Sequence, residues 1–182
     1  MKEVKRKVLV IAVALMAVAM LAMQLSVVLA TKPTEIVDCS FATNVLAITV
    51  TPIKEPTGGS QITIVEMTGT DCQIWTGDIS GVADYSARWV FHGELGAPDT
   101  FITHDGLYIF DEATVTVDGV TATGSLVIKA AGNKAAVAGA WRVISSDLED
   151  ESGEPVSLHG QGEFLEAGIF TYDVVGQLHL DP

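Results

Sequence analysis

Basic residues are scarce in this chain. Ten Lys and Arg stand against 23 Asp and Glu, a formal net charge of −13. The first thirty residues hold four of the basic groups and one of the acidic ones. The remaining 152 of the 182 residues therefore carry 6 against 22, a formal charge of −16. Such a surface repels phosphate backbones, which excludes nucleic-acid binding, and it disfavours anionic lipid surfaces for the same reason. Catalytic signatures are missing as well: there is no G-x-S-x-G, no H-E-x-x-H and no P-loop. The four histidines, His92, His104, His159 and His179, are scattered, and no cofactor motif is present. After Ala30 no stretch sustains the 3.6-residue periodicity of a helix.

The N-terminus is of a different kind. Lys2, Lys5, Arg6 and Lys7 form a basic head before an apolar run from Val8 to Met23. Val28 and Ala30 then sit in the small-residue pattern after which export peptidases cut. Val8 to Ala30 is also long enough to serve as an uncleaved anchor, since a bilayer takes about 20 apolar residues. Residues 1–30 are thus read as a signal peptide or membrane anchor, an apolar export helix. Either way, everything after Ala30 lies outside the cytoplasm, secreted or tethered to the outer face of the cell membrane. Membrane contact is expected only through residues 8–30, if they are retained.

Only two cysteines occur, Cys39 and Cys72. In an oxidising compartment an even count points to a disulfide. Joining these two would close a loop of about 33 residues and contribute about 3 to 4 kcal/mol in the chain-entropy picture. A metal site lacks a C-x-x-C or any His at ligand spacing.

From Thr31 the chain reads as strands and turns. Residues 31–44 form a linker and lead-in strand, and residues 45–182 the folded domain. Val120, Ala122, Gly124, Leu126 and Ile128 alternate with polar neighbours. So do Val156, Leu158, Gly160, Gly162 and Phe164, and then Phe170, Tyr172, Val174, Gly176, Leu178 and Leu180. A period of two with one apolar face means strands wet on one side only. Asp118-Gly119 is a hairpin dipeptide. Thr68–Asp71, His104–Gly106 and Gly132-Asn133 read as further turns, which gives eight to ten strands. Gly124, Gly139, Gly160, Gly162 and Gly176 all fall on apolar faces, where backbone-only positions let successive strands coil until their edges meet. The expected fold is therefore all-β: a single small closed antiparallel barrel of about eight strands.

The order GSLVIK, a hairpin, GAWRVI, a loop, LHGQGEF and then YDVVGQLHL resembles the end of the allene oxide cyclase and dirigent type of barrel. WTGDISGVADYSARWVFHG is similar to the earlier hairpin of that family, so the likeness spans about residues 73 to 182. Where the family has a Gly-Thr-Gly turn, this chain carries Ser145-Ser146 and the acidic insert DLEDESGEP. The resemblance implies a barrel with an interior able to hold a small molecule, an isomerase or cyclase activity, and assembly into homo-oligomers. No catalytic residue of the family has a counterpart here.

Candidate binding residues come from the inward faces. Trp75, Tyr85, Trp89, Phe91, Trp141 and Phe164 share them, and with the small inward residues they point to a partly unfilled interior. The expected partner is a small apolar or aromatic molecule. A barrel that holds a reactive intermediate for isomerisation would need an inward polar group. Asp111 is the first candidate, since strict alternation places it between Ile109 and Ala113. A bulge at Asp111-Glu112 would turn that carboxylate outward instead. The third reading is a structural surface module with a packed interior. His104-Asp105 could relay protons, although turn chemistry explains the pair equally simply. The acidic residues Asp147, Glu149, Asp150, Glu151 and Glu154 read as a solvated hairpin loop, with calcium binding as the sharper alternative.

Overall fold

The computed structural model describes residues 35–56, 61–93, 101–133 and 136–181. The export segment expected at 1–30 lies outside them. The described chain is all-β: β1 (Glu35–Thr43), β2 (Ile48–Lys54), β3 (Ile62–Gly77), β4 (Ile79–His92), β5 (Phe101–Val117), β6 (Val120–Asn133), β7 (Ala136–Asp150), β8 (Pro155–Gly168) and β9 (Thr171–Asp181). They make one antiparallel sheet of nine strands in the order β1-β9-β8-β7-β6-β5-β4-β3-β2. A further pairing of β1 with β3 joins its ends, so that eight strands form a ring.

β1 makes that closure. One of its edges runs along β9, from Glu35 opposite Leu178 to Ala42 opposite Thr171. Its other edge meets the second half of β3, from Cys39 opposite Gly77 to Thr43 opposite Gln73. The segment expected as linker and lead-in strand is thus a full member of the ring. At Asn44 the chain leaves it: the Asn44 side chain accepts from the Leu46 amide at 3.3 Å, and a single 3-10 turn (Val45–Ala47) follows. β2 then pairs with the first half of β3 and stands outside the ring as its free edge.

Alternation decides which side chains enter. In β6, Ala122, Leu126, Ile128 and Ala130 are buried, and in β9 so are Val174, Leu178 and Leu180. Val117 faces Val120 across the β5–β6 turn, where Asp118 (φ 51°) and Gly119 (φ 78°) take the left-handed conformations of a two-residue hairpin. In β5 the buried set changes parity, from Tyr108 and Phe110 to Ala113, Val115 and Val117. The cause is a bulge: the β5–β6 register slips between Phe110 and Ala113, and both Asp111 and Glu112 are exposed. β3 carries a similar irregularity between Gly69 and Gln73, with Asp71 at φ 49°. The turn expected at Thr68–Asp71 is therefore a kink inside one long strand. His104–Gly106, expected as a turn, runs through the body of β5.

Three of the inward glycines, Gly160, Gly162 and Gly176, serve one large side chain. A methyl on Gly160 would come within 3.1 Å of the Trp141 ring, on Gly162 within 2.8 Å of Trp141 Nε1, and on Gly176 within 2.9 Å of the ring. Gly162 stands directly between Trp141 and Gly176 in the strand registers. Backbone alone lies under the indole, whose N–H donates to the Val175 carbonyl at 3.2 Å. These glycines therefore admit Trp141 rather than leave a void.

Two expectations are overturned here. Cys39 and Cys72 are both buried and both free thiols. Cys39 lies opposite Gly77, five residues along β3 from Cys72, so the register separates them by on the order of 15 Å, against about 7 Å for a bridge. Burial pushes the Cys39 thiol up to about 12, and raises that of Cys72 too. Second, the acidic insert is not a long loop. β7 runs through Asp150 and β8 begins at Pro155. The Asp150 carboxylate ties the short turn by accepting from the Ser152 and Glu154 amides at 2.8 and 3.0 Å and from the Ser152 hydroxyl at 2.6 Å. Among the described residues no cluster of acidic, His or Cys side chains could hold a metal ion.

Because a methyl on Gly162 would strike the Val175 carbonyl and the Gly176 Cα of β9 as well as the indole, Gly162→Ala should lower unfolding stability by about 3 kcal/mol, the upper end of the usual cost of overpacking. Chemical denaturation followed by tryptophan fluorescence reads this directly, and an unchanged midpoint would remove the glycine floor from the account.

Candidate functional site

The ring interior contains a cavity of about 350 Å³ with aromatic walls. β4 supplies Tyr85, Trp89 and Phe91 from one face, and β5 supplies His104 and Tyr108. β1 brings Phe41 and Thr43, and β3 brings Met67 and Gln73. Phe164 and Tyr172 complete the wall from β8 and β9. The exposed Val45, Val50 and Phe170 mark where the cavity meets solvent.

Phe41 is the centre of the aromatic packing. Its ring stacks on Trp75 (centroids 4.7 Å, planes 15° apart) and on Tyr172 (5.1 Å, 23°), and Phe164 meets it edge-on at 5.4 Å. Such contacts add about 0.5 to 1.5 kcal/mol each beyond buried area, and they fix the rings without any polar tie. A second stack lies along β4 and β5, where His104 covers Trp89 at 4.8 Å with planes 18° apart.

Few polar groups enter this surface. Gln73, 2% exposed, accepts from the Thr43 hydroxyl at 2.8 Å. Tyr85 accepts from Trp89 Nε1 at 2.9 Å. His104, 7% exposed, has no hydrogen bond at Nδ1. A methyl on Gly132 would lie 2.8 Å from that Nδ1, so the ring's Nδ1–Cε1 edge is sealed against bare backbone. Burial lowers the His104 pKa, and the nearby Asp105 carboxylate opposes this only in part. Burial likewise raises the Tyr85 and Tyr108 hydroxyls above the usual tyrosine range. No Asp, Glu, Lys or Arg among the described residues lines the cavity. At neutral pH it is therefore an uncharged aromatic chamber with a few hydroxyl, amide and imidazole groups.

The residues expected from sequence divide in two. Tyr85, Trp89, Phe91 and Phe164 meet in the cavity. Trp75 lies behind Phe41, Trp141 is spent over its glycines, and Asp111 is exposed on the outer bulge. The proton relay also fails: His104 faces inward while Asp105 faces out and pairs with Lys129 at 2.9 Å. Sequence reasoning missed Tyr108, Gln73, Phe41 and Met67, and it placed His104 in a turn beside Asp105 rather than in the cavity. The signal for His104 was there, because a single strand from Phe101 puts His104, Gly106, Tyr108 and Phe110 on one face. Comparison with family models, with curated proteins and with solved structures gives no match, so the chemistry of the cavity is read from its own residues.

The buried imidazole predicts a pH dependence. Its folded pKa lies below the ordinary 6.5, so once the pH falls below that value the unfolded chain binds the proton more readily. Stability is then lost as pH drops from about 6.5 toward the depressed folded value. The melting temperature of the wild type should fall more between pH 7.5 and pH 5.5 than that of His104→Phe. Equal falls would show that this ring does not carry the effect.

Proposed function

We propose that this chain is an exported β-barrel protein that binds a small apolar or aromatic molecule inside the ring. The observation that carries the reading is the cavity: about 350 Å³, walled by Phe41, Tyr85, Trp89, Phe91 and Tyr108, and lined by no charged residue among those described. Concave apolar sites of a few hundred Å³ with a few placed polar groups are the usual form of small-molecule sites. The basic, apolar leader supports action outside the cytoplasm. The resemblance to the allene oxide cyclase and dirigent type of barrel supports the same use of the interior. The isomerase reading asked for an inward polar group: its first candidate, Asp111, is on the outside, whereas His104, Tyr85 and Gln73 do enter the cavity, so binding is the leading reading and turnover the alternative. A packed surface module is disfavoured by the open volume.

The test uses N-phenyl-1-naphthylamine, a neutral probe that fluoresces on leaving water. The full-length wild type is compared with full-length Met67→Trp, in which the added indole fills the cavity. The two share the same apolar leader, so any probe taken up there cancels. The wild type should bind saturably and the variant at least about tenfold more weakly, a loss of about 1.4 kcal/mol or more. Equal binding by the two would place the probe elsewhere and end this reading.

A further inference from the structure

The polar groups of the cavity are unequal in what they have left to offer. A tyrosine hydroxyl has one proton and two lone pairs. Tyr85 already accepts from Trp89 Nε1, so its proton remains to be given. Gln73 uses its carbonyl oxygen on the Thr43 hydroxyl, which leaves the amide NH2 as the half it can offer. A neutral imidazole has one proton to place. On Nδ1 it would be an orphaned N–H pressed against the Gly132 backbone, the costlier arrangement. Assigned by hydrogen-bond economy, the proton sits on Nε2, and His104 too is a donor.

Tyr108 and Tyr172 add hydroxyls that can give or accept. The three protons above, with no formal charge among the described lining residues, tip the balance toward one kind of guest. An ammonium would bring its own protons against theirs, even though the acidic exterior attracts cations. A carboxylate would enter a chamber lined by no Lys or Arg among the described residues, inside a domain of formal charge −16, and would lose its hydration without a counter-ion there. Resting on the binding role proposed above, we infer that the ligand is an uncharged flat molecule with a hydrogen-bond-accepting oxygen, of the aryl ketone, quinone or lactone class, and that His104 is the residue that selects it. Stacked on Trp89, the imidazole is held at a fixed angle, so the donor is placed before the ligand arrives.

A matched pair of probes separates this inference from the reading beneath it. 2-Acetonaphthone and 2-isopropenylnaphthalene have nearly the same shape and differ in an oxygen exchanged for a CH2. Each is used to displace N-phenyl-1-naphthylamine from the full-length protein, with 2-naphthoate and a 2-naphthylmethylammonium salt alongside. The ketone should bind about tenfold more tightly than the hydrocarbon, the size of one well-made hydrogen bond, and more tightly than either ion. In His104→Phe the ketone-to-hydrocarbon ratio should fall to about one. Equal affinities for ketone and hydrocarbon in the wild type would overturn the inference and leave the apolar site standing. Tighter binding of the naphthoate or the ammonium salt would overturn it as well. If no probe displaces the fluorophore, the binding role itself is wrong.

Discussion

The indole of Trp141, laid across Gly160, Gly162 and Gly176, is the contact on which the ring depends. A side chain at any of the three would meet the indole at 3.1 Å or less. With backbone alone in those places, β7, β8 and β9 close around one large ring, and β9 passes on to β1. β1 then needs only to reach β3 for the sheet to lose its edges on the ring side. Glycine is costly inside a strand, and the packing of a whole tryptophan offsets that cost here.

The same closure accounts for the cavity. A second aromatic group, centred on Phe41, forms a layer in which Trp75, Tyr108 and Phe164 meet edge to face. Rings that pack through their edges fill space unevenly, and a volume remains between this layer and the Trp89–His104 stack. The polar side chains that reach it tie one another's acceptors down, Thr43 to Gln73 and Trp89 to Tyr85. Among the described residues a chamber so lined carries no formal charge, and that, more than its volume, gives it chemical character.

How far this was legible in the residues follows from how local each feature is. Alternation in β6, β8 and β9 needs only neighbours, and the inward glycines and the Asp118-Gly119 hairpin were readable for the same reason. The face of Tyr85, Trp89 and Phe91 could be read from β4 alone. His104 was hidden because β5 carries a bulge at Asp111-Glu112 that changes its parity, so no single alternation fits the strand from Phe101 to Val117. The fate of Cys39 and Cys72 was hidden for a different reason: it depends on which residue of β3 stands opposite β1, a non-local register that no spacing in the chain encodes. The glycines were placed correctly and the ring they let close is there, but the space expected to stay open above Gly160, Gly162 and Gly176 is filled by Trp141 from another strand. In the acidic insert, charge suggested a loop, whereas the pairing of Leu148 with Val156 keeps both arms in the sheet almost to the turn.

The three tryptophans offer the most direct test of the whole account. Trp89 lines the cavity, Trp141 is sealed over its glycines and Trp75 stands behind Phe41. In a ¹H–¹⁵N spectrum each indole N–H gives its own signal. Titration with a neutral naphthyl ligand should move the Trp89 signal progressively and leave that of Trp141 where it was. A Trp89 signal indifferent to the ligand, or a Trp141 signal that moves in its place, would contradict the claim that the open volume of this ring is a binding site.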